Sequence, residues 1–429
     1  MMDTSRRLTR LSVVRVLSSG PARSSDRFEA VTARTAAPCI DIARVRSDTA
    51  GCDGVLHFNN AGSSLPPRPV VDAMVDYLRT EEVMGGYEVA ADRAADLDAV
   101  YGATARYLNC EPSEIASTIS AGDAWWRAFS SVPLGVGDRV LVGHSEYQAN
   151  AFGWLQARER GVVVEVVPND PAGDFDVEVF ESMLDERVKL VSLTMVAMTN
   201  GAIHPAAKVG QVLKSSGSNA IYLLDACQAA GQLPLDVQEL GCDFLNYTGR
   251  KFMRAPRGTG VLFARRDVYA KLGQTGFVDG RSAVWTSADS YEYAPDAKRF
   301  EFGEFGYGGK VGLGVATNYM LDIGIEAIAA RVASLSSLLR FDLSAIPAVT
   351  VLDTGTHKSG IVTFDVHGMA ATEVQASLSA QRINVSTPGV MLAQLELAPR
   401  AIDAVVRAGV HYFNTEQEVA RFCEAVAEL

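Results

Sequence analysis

An apolar run, Ile221-Tyr222-Leu223-Leu224, ends in Asp225, and Gln228 follows three residues later. Twenty-six residues beyond Asp225 comes Lys251, in Thr248-Gly249-Arg250-Lys251, ahead of Gly258-Thr259-Gly260 and a further apolar run. A carboxylate at the carboxyl edge of a parallel sheet sits where open α/β sheets bind ligands, and a lysine closing a neighbouring strand reaches the same crevice. Lysine forms imines with aldehydes, and a buried carboxylate keeps a pyridine nitrogen protonated so that the ring accepts electrons. The pair points to pyridoxal phosphate (PLP) chemistry. A second element fits a phosphorylated cofactor: Thr118-Ile119-Ser120-Ala121-Gly122-Asp123 opens a helix, and small residues there let the backbone N–H groups of Ala121 and Gly122 approach a phosphate.

These residues need a scaffold, and the flanking pattern supplies one. Short apolar strands are expected at 140–143, 162–167, 190–194, 221–224, 244–246 and 260–264. They interleave with amphipathic helices at 68–79, 91–107, 124–131, 150–160, 176–183 and 206–215. Alternation of this kind predicts an α/β sheet covered by helices on both faces. After about residue 300 the rhythm becomes helix, strand, helix, strand: 315–339, 360–366, 369–382, 383–386, 405–412 and 416–428. We therefore expect a large domain over 39–300 and a small C-terminal α+β domain over 301–429. Residues 1–38, with seven arginines against three acids, carry +4 and read as a disordered extension, leaving −16 for the remainder. Gly306-Tyr307-Gly308-Gly309 lacks dinucleotide-loop spacing and reads as a flexible loop.

Composition narrows the function classes. A chain of 429 residues with 48% hydrophobic and 21% charged residues is globular, and too long for a disulfide-stapled scaffold. A net charge of −12 disfavours nucleic acid and anionic membrane as partners. No apolar run reaches the length of a membrane span. Six scattered cysteines without CxxC spacing read as reduced thiols of a cytoplasmic protein. The six histidines form no HxxxH pattern and no GxSxG elbow is present, so a metal site or a serine hydrolase has no support.

Asp225-Ala226-Cys227-Gln228, Leu240-Gly241-Cys242-Asp243-Phe244, Arg250-Lys251 and Pro256-Arg257-Gly258-Thr259-Gly260, in this order, resemble the class V aminotransferase family, over roughly residues 55–429. That family includes cysteine desulfurases, kynureninase and isopenicillin N epimerase. The resemblance implies PLP-dependent transferase fold type I and a homodimer with its active sites near the interface. It also implies roles. Lys251 binds the cofactor aldehyde and moves the Cα proton, Asp225 pairs with the pyridine nitrogen, and Gln228 contacts the ring hydroxyl. Thr248 and Arg250 serve the phosphate, Tyr147 stacks on the ring, Arg407 in Val406-Arg407-Ala408-Gly409 clamps the substrate α-carboxylate, and Asn60 lines the substrate side.

Departures from the family pattern refine this expectation. A desulfurase needs a nucleophilic cysteine on a mobile loop in the C-terminal third, where this chain has only Cys423, inside its last helix. The turn 198–201 begins with Met198 rather than asparagine, leaving Asn200 to replace that ring contact. Glu304 follows Gly303 where the family often has threonine. Together with Gly85-Gly86-Tyr87 and the Arg250-Lys251 pair, this resembles the actinobacterial C–S lyase subgroup, which includes the ergothioneine-pathway lyase and lincosamide-pathway enzymes acting on cysteine S-conjugates. The implied reaction is β-elimination from a cysteine S-conjugate or its sulfoxide. Decarboxylating oxidative deamination to an aldehyde, transamination or epimerisation, and a scaffold without catalysis remain the alternatives.

Overall fold

The structure is a computed structural model that describes residues 40–429; the basic segment 1–38 expected as an extension lies outside the described residues. Its strands are Leu56–His57 (β1), Ile115–Thr118 (β2), Arg139–Val142 (β3), Val163–Val166 (β4), Val188–Thr194 (β5), Ile221–Asp225 (β6), Phe244–Thr248 (β7) and Gly260–Ala264 (β8). The exposed hairpin Ala283–Ser287 (β9) and Ser290–Tyr293 (β10) follows. Last come Val349–Val351 (β11), Ile361–Val366 (β12), Ile383–Asn384 (β13) and Val406–Gly409 (β14).

Seven strands form one mixed sheet in the order β2-β8-β7-β6-β5-β3-β4, in which β8 alone runs against the others. Strands β6 and β7 are buried along their whole length, which matches apolar runs rather than alternation. One apolar layer holds Trp125, Phe129, Phe244 and Phe300; another holds Phe180, Tyr222, Tyr247 and Phe263. All six expected strands of this region are present, and β2 is an additional one.

The parallel connections leave the carboxyl ends of β2, β3, β5, β6 and β7 on one edge. There Thr194, Asp225 and Asn246 form a single rung across β5, β6 and β7. The smaller sheet is antiparallel, β11-β12-β14, with helices 325–344, 371–380 and 416–427 packed near it. β1 pairs with β13, and Asn59 bridges to Gly409, so the N-terminal segment is laid against the strand that carries Arg407.

Two expectations differ from what is found. The stretch 306–309 does not form a loop: a helix runs Tyr307–Ile323. Its glycines allow close packing, since a side chain at Gly312 would collide with Pro256 and Met74. The helix expected over 315–339 is two helices, divided at Gly324, whose φ of +93° suits glycine.

Arg254 joins these parts. Its side chain is 2% exposed and donates to Leu65 O (2.8 Å), Tyr412 Oη (2.7 Å) and Thr49 Oγ1 (2.5 Å), with Phe413 stacked beneath its guanidinium. One residue thereby holds the loop that follows Lys251 to both the N-terminal and the C-terminal segments. Arg254→Ala should cost about 3 kcal/mol of stability, because three buried polar partners lose a charged donor. Urea unfolding measures this, and a loss under about 1 kcal/mol would refute the role.

Candidate active site

Asp225 closes β6 and is fully buried. Its Oδ1 accepts from Cys227 N (2.8 Å) and its Oδ2 from Asn150 Nδ2 (2.9 Å). Burial pushes its pKa up despite these bonds and the nearby Lys251 charge. A carboxylate so placed favours a cationic hydrogen-bond donor as its next neighbour.

Lys251 lies three residues past the end of β7, and its Nζ donates to Cys227 Sγ at 3.2 Å. Burial pulls its pKa down, and the Arg250 and Arg407 charges act in the same direction. A lysine with a weakened hold on its proton keeps more of its amine free, the form that attacks an aldehyde and can accept a proton.

The other expected residues fall around this pair. Gln228 donates to Ala61 O (3.1 Å), while its Oε1 is buried without a partner. Ser120 caps the helix Ala121–Ser131 by accepting from Asp123 N, which leaves the N–H groups of Ala121 and Gly122 at the first turn. Strand β8 lies hard against this turn: a side chain at Gly260 would come within 2.6 Å of the Ser120 backbone. Thr248, at the end of β7, donates to Thr259 O (3.2 Å). Tyr147 is exposed at the start of helix 148–159.

Arg407 is 7% exposed on β14 and donates to Ser386 Oγ (3.1 Å) and Met198 O (3.3 Å). Burial and Arg250 together pull its pKa down to about 10. Arg250 donates to the Gly62 carbonyl. Asn60 is fully buried; its amide donates to Gly409 O (2.7 Å) and accepts from Ser64 Oγ. Asn200 is engaged by Glu396 and by Ala202 N, away from the role considered for it. Glu304 is exposed.

Glu146 was not singled out by its sequence position. It precedes Tyr147, is 3% exposed, meets Thr194 Oγ1 at 3.3 Å, and leaves Oε2 unpartnered. Burial and the Asp225 charge raise its pKa to about 8, opposed by hydrogen bonds from Asn150 and Thr194. Asn150 thus stands between two carboxyl groups, of which one keeps its proton. The only sequence signal was an acid within a stretch that returns to the sheet edge.

Orphaned acceptors on Gln228 and Glu146, a buried carboxylate, an amine of depressed pKa and open N–H groups at a helix start form a donor set that fits PLP. Among the described residues no group of three His, Cys, Asp or Glu side chains is placed to hold a metal ion, and no helix is long and apolar enough to cross a membrane.

Comparison with known proteins identifies the family and the fold. A family model described as aminotransferase class-V matches residues 56–422. A probable cysteine desulfurase of Methanothermobacter thermautotrophicus is 28% identical over 386 residues, covering 87% of this chain and 94% of that protein. The apo structure of cysteine desulfurase from Thermococcus onnurineus NA1 superposes with a TM-score of 0.84 at 26% identity, covering 92% of this chain and 99% of that one. A cystine C–S lyase shares the fold at 23% identity, with a TM-score of 0.80 and coverage of 89% of this chain and 99% of that one. It has been solved with its product cysteine persulfide and, as a lysine-to-alanine mutant, with glycine covalently linked to its PLP cofactor.

Glu146 carries a pH signature. The folded protein holds its proton up to about pH 8, whereas the unfolded chain releases it near the ordinary carboxylate range. Its contribution to stability is therefore present at low pH and lost as pH rises through that window, by up to ~1.4 kcal/mol per pH unit. Cofactor-free Glu146→Gln should gain in melting temperature relative to the parent protein between pH 5 and pH 8. A difference that does not change with pH would contradict the buried acid.

Proposed function

We propose, proceeding from the fact that this chain belongs to the aminotransferase class-V family, that it is a C–S lyase removing the sulfur substituent of a cysteine S-conjugate, or of its sulfoxide, by β-elimination. The chain is a PLP-dependent enzyme. The observation that carries elimination, rather than sulfur transfer to the protein, lies in the segment between β13 and β14. Residues 385–405 contain no cysteine. Cys423 is buried in the last helix, and burial pushes its thiol up to about 12. A buried thiol of that pKa is a poor persulfide acceptor, so the sulfur fragment leaves with the products.

PLP, when bound, supplies the ring that delocalises the electron pair left at the substrate Cα. Asp225 would hold the ring nitrogen and favour its protonated form, its carboxylate fixed by Asn150 and Cys227 N. Ala121, Gly122 and Thr248 would hold the phosphate, Gln228 the ring hydroxyl, and Tyr147 the ring face. Arg407 binds the substrate α-carboxylate through its planar fork. Lys251 would remove the Cα proton, a step for which its lowered pKa makes more free amine available. Departure of sulfur from Cβ, followed by hydrolysis of the three-carbon fragment, gives a thiol or sulfenic acid with pyruvate and ammonia.

Resemblance to the actinobacterial C–S lyase subgroup through Gly85-Gly86-Tyr87, Arg250-Lys251 and Phe302-Gly303-Glu304 supports the same reading. For a homodimer, support comes from the apolar side chains exposed on helix 68–84 and just beyond it, Val71, Leu78, Val83 and Tyr87.

Incubating the PLP-loaded protein with a panel of S-alkyl and S-aryl cysteines and their sulfoxides should release pyruvate and the sulfur fragment in equal amounts. Lys251→Ala should lower turnover roughly 10³-fold with an unchanged melting curve. Alanine with a protein-bound persulfide, formed from L-cysteine added in parallel, would reassign the protein as a desulfurase, and an aldehyde with carbon dioxide formed in air would reassign it to oxidative decarboxylation. Undiminished turnover by Lys251→Ala would overturn every PLP-based reading.

A further inference from the structure

We propose that Arg250 belongs to the substrate side of the site, where with Arg407 it receives an amino acid bearing a second anionic group, such as a distal carboxylate, beyond the scissile C–S bond. This rests on the C–S lyase reading above for the identity of the substrate's reacting end.

The placement follows from the segment 60–64. Arg250 donates through its guanidinium to Gly62 O, and its own carbonyl accepts from Ser64 N (2.8 Å). The same segment is fastened to the strand of Arg407: Asn60 Nδ2 donates to Gly409 O, and Gly409 N donates to Phe58 O (2.6 Å). One short stretch of chain therefore links the two arginines.

The charges are unbalanced. Arg250 and Arg407 lie close enough to Lys251 to lower its proton affinity, and Arg250 acts likewise on Arg407, yet none of the three forms an ion pair among the described residues. Among the described residues the Arg407 side chain donates only to a serine hydroxyl and a carbonyl, and that of Arg250 only to a carbonyl. One α-carboxylate neutralises one guanidinium and leaves the second without an anion in a partly desolvated pocket. A substrate with two carboxylates satisfies both. Because a guanidinium binds a carboxylate through two parallel N–H donors, the site would select for the position of the second group as well as its charge.

The test uses PLP-loaded protein titrated with glutarate and with butyrate, followed by the cofactor's absorbance, for the parent protein, Arg250→Gln and Arg250→Lys. The parent should bind glutarate at least tenfold more tightly than butyrate. Arg250→Gln should reduce that preference to less than threefold and Arg250→Lys should retain part of it, while PLP retained after dialysis stays within threefold throughout. An equal affinity of the parent for the two acids would overturn the proposal. So would an Arg250→Gln variant that sheds PLP but keeps the glutarate preference, which would return Arg250 to the phosphate. A glutarate preference in a protein that cleaves no C–S bond would uphold this inference and overturn the reaction assigned above.

Discussion

A carboxylate buried at the end of a central parallel strand is the constraint on which the rest of the site depends. Asp225 sits where β6 stops, flanked by Thr194 on β5 and Asn246 on β7, and its pKa is raised by the same burial that shields it. Left alone, such a group is costly, and its neighbours all moderate that cost. Cys227 N and Asn150 donate to it, Lys251 lies within electrostatic reach, and Glu146 stays neutral beside it. What is still lacking is a cationic donor aimed at the remaining lone pairs, and a protonated pyridine ring is such a donor.

From this follows the contrast between two lysines of lowered proton affinity, buried Lys310 and half-buried Lys251. Lys310 is sealed by Tyr101 Oη at 2.7 Å and the Phe305 ring, with buried Glu301 nearby, so its amine is committed to the packing of its own helix. Among the described residues Lys251 meets only a thiol, with Arg250 and Arg407 within electrostatic reach. The sheet thus separates a structural amine from a reactive one by what each is allowed to touch. Substrate polarity would follow from the same arrangement: with PLP bound, Asp225 would repel a substrate carboxylate and the guanidinium groups of Arg250 and Arg407 would attract it.

Much of this was legible in the residues themselves. Asp225 and Lys251 could be placed because a wholly apolar strand ending in an acid is a local pattern, and parallel topology turns the ends of successive strands into neighbours. The six strands around them were likewise local. Glu146 escaped notice because nothing near it in the chain marks an acid as buried; its environment is made by β5 and by helix 148–159. The strand β2, four residues long with a serine and a threonine, carries little periodic signal and exists because β8 pairs with it. The glycines at 306–309 suggested a loop by propensity, which tertiary packing against Met74 and Leu78 overrides. For Arg250, sequence adjacency to Lys251 fixed its neighbourhood but not the direction of its side chain, which is decided by the carbonyl of Gly62.

The central claim is that one lysine among eight holds the cofactor aldehyde because the sheet edge places it opposite Asp225. Borohydride reduction of the PLP-loaded protein, followed by peptide mass mapping, tests it most directly. The account predicts a single phosphopyridoxyl group, on Lys251. Label on Lys310 or another lysine, or none at all with the protein saturated in PLP, would contradict it.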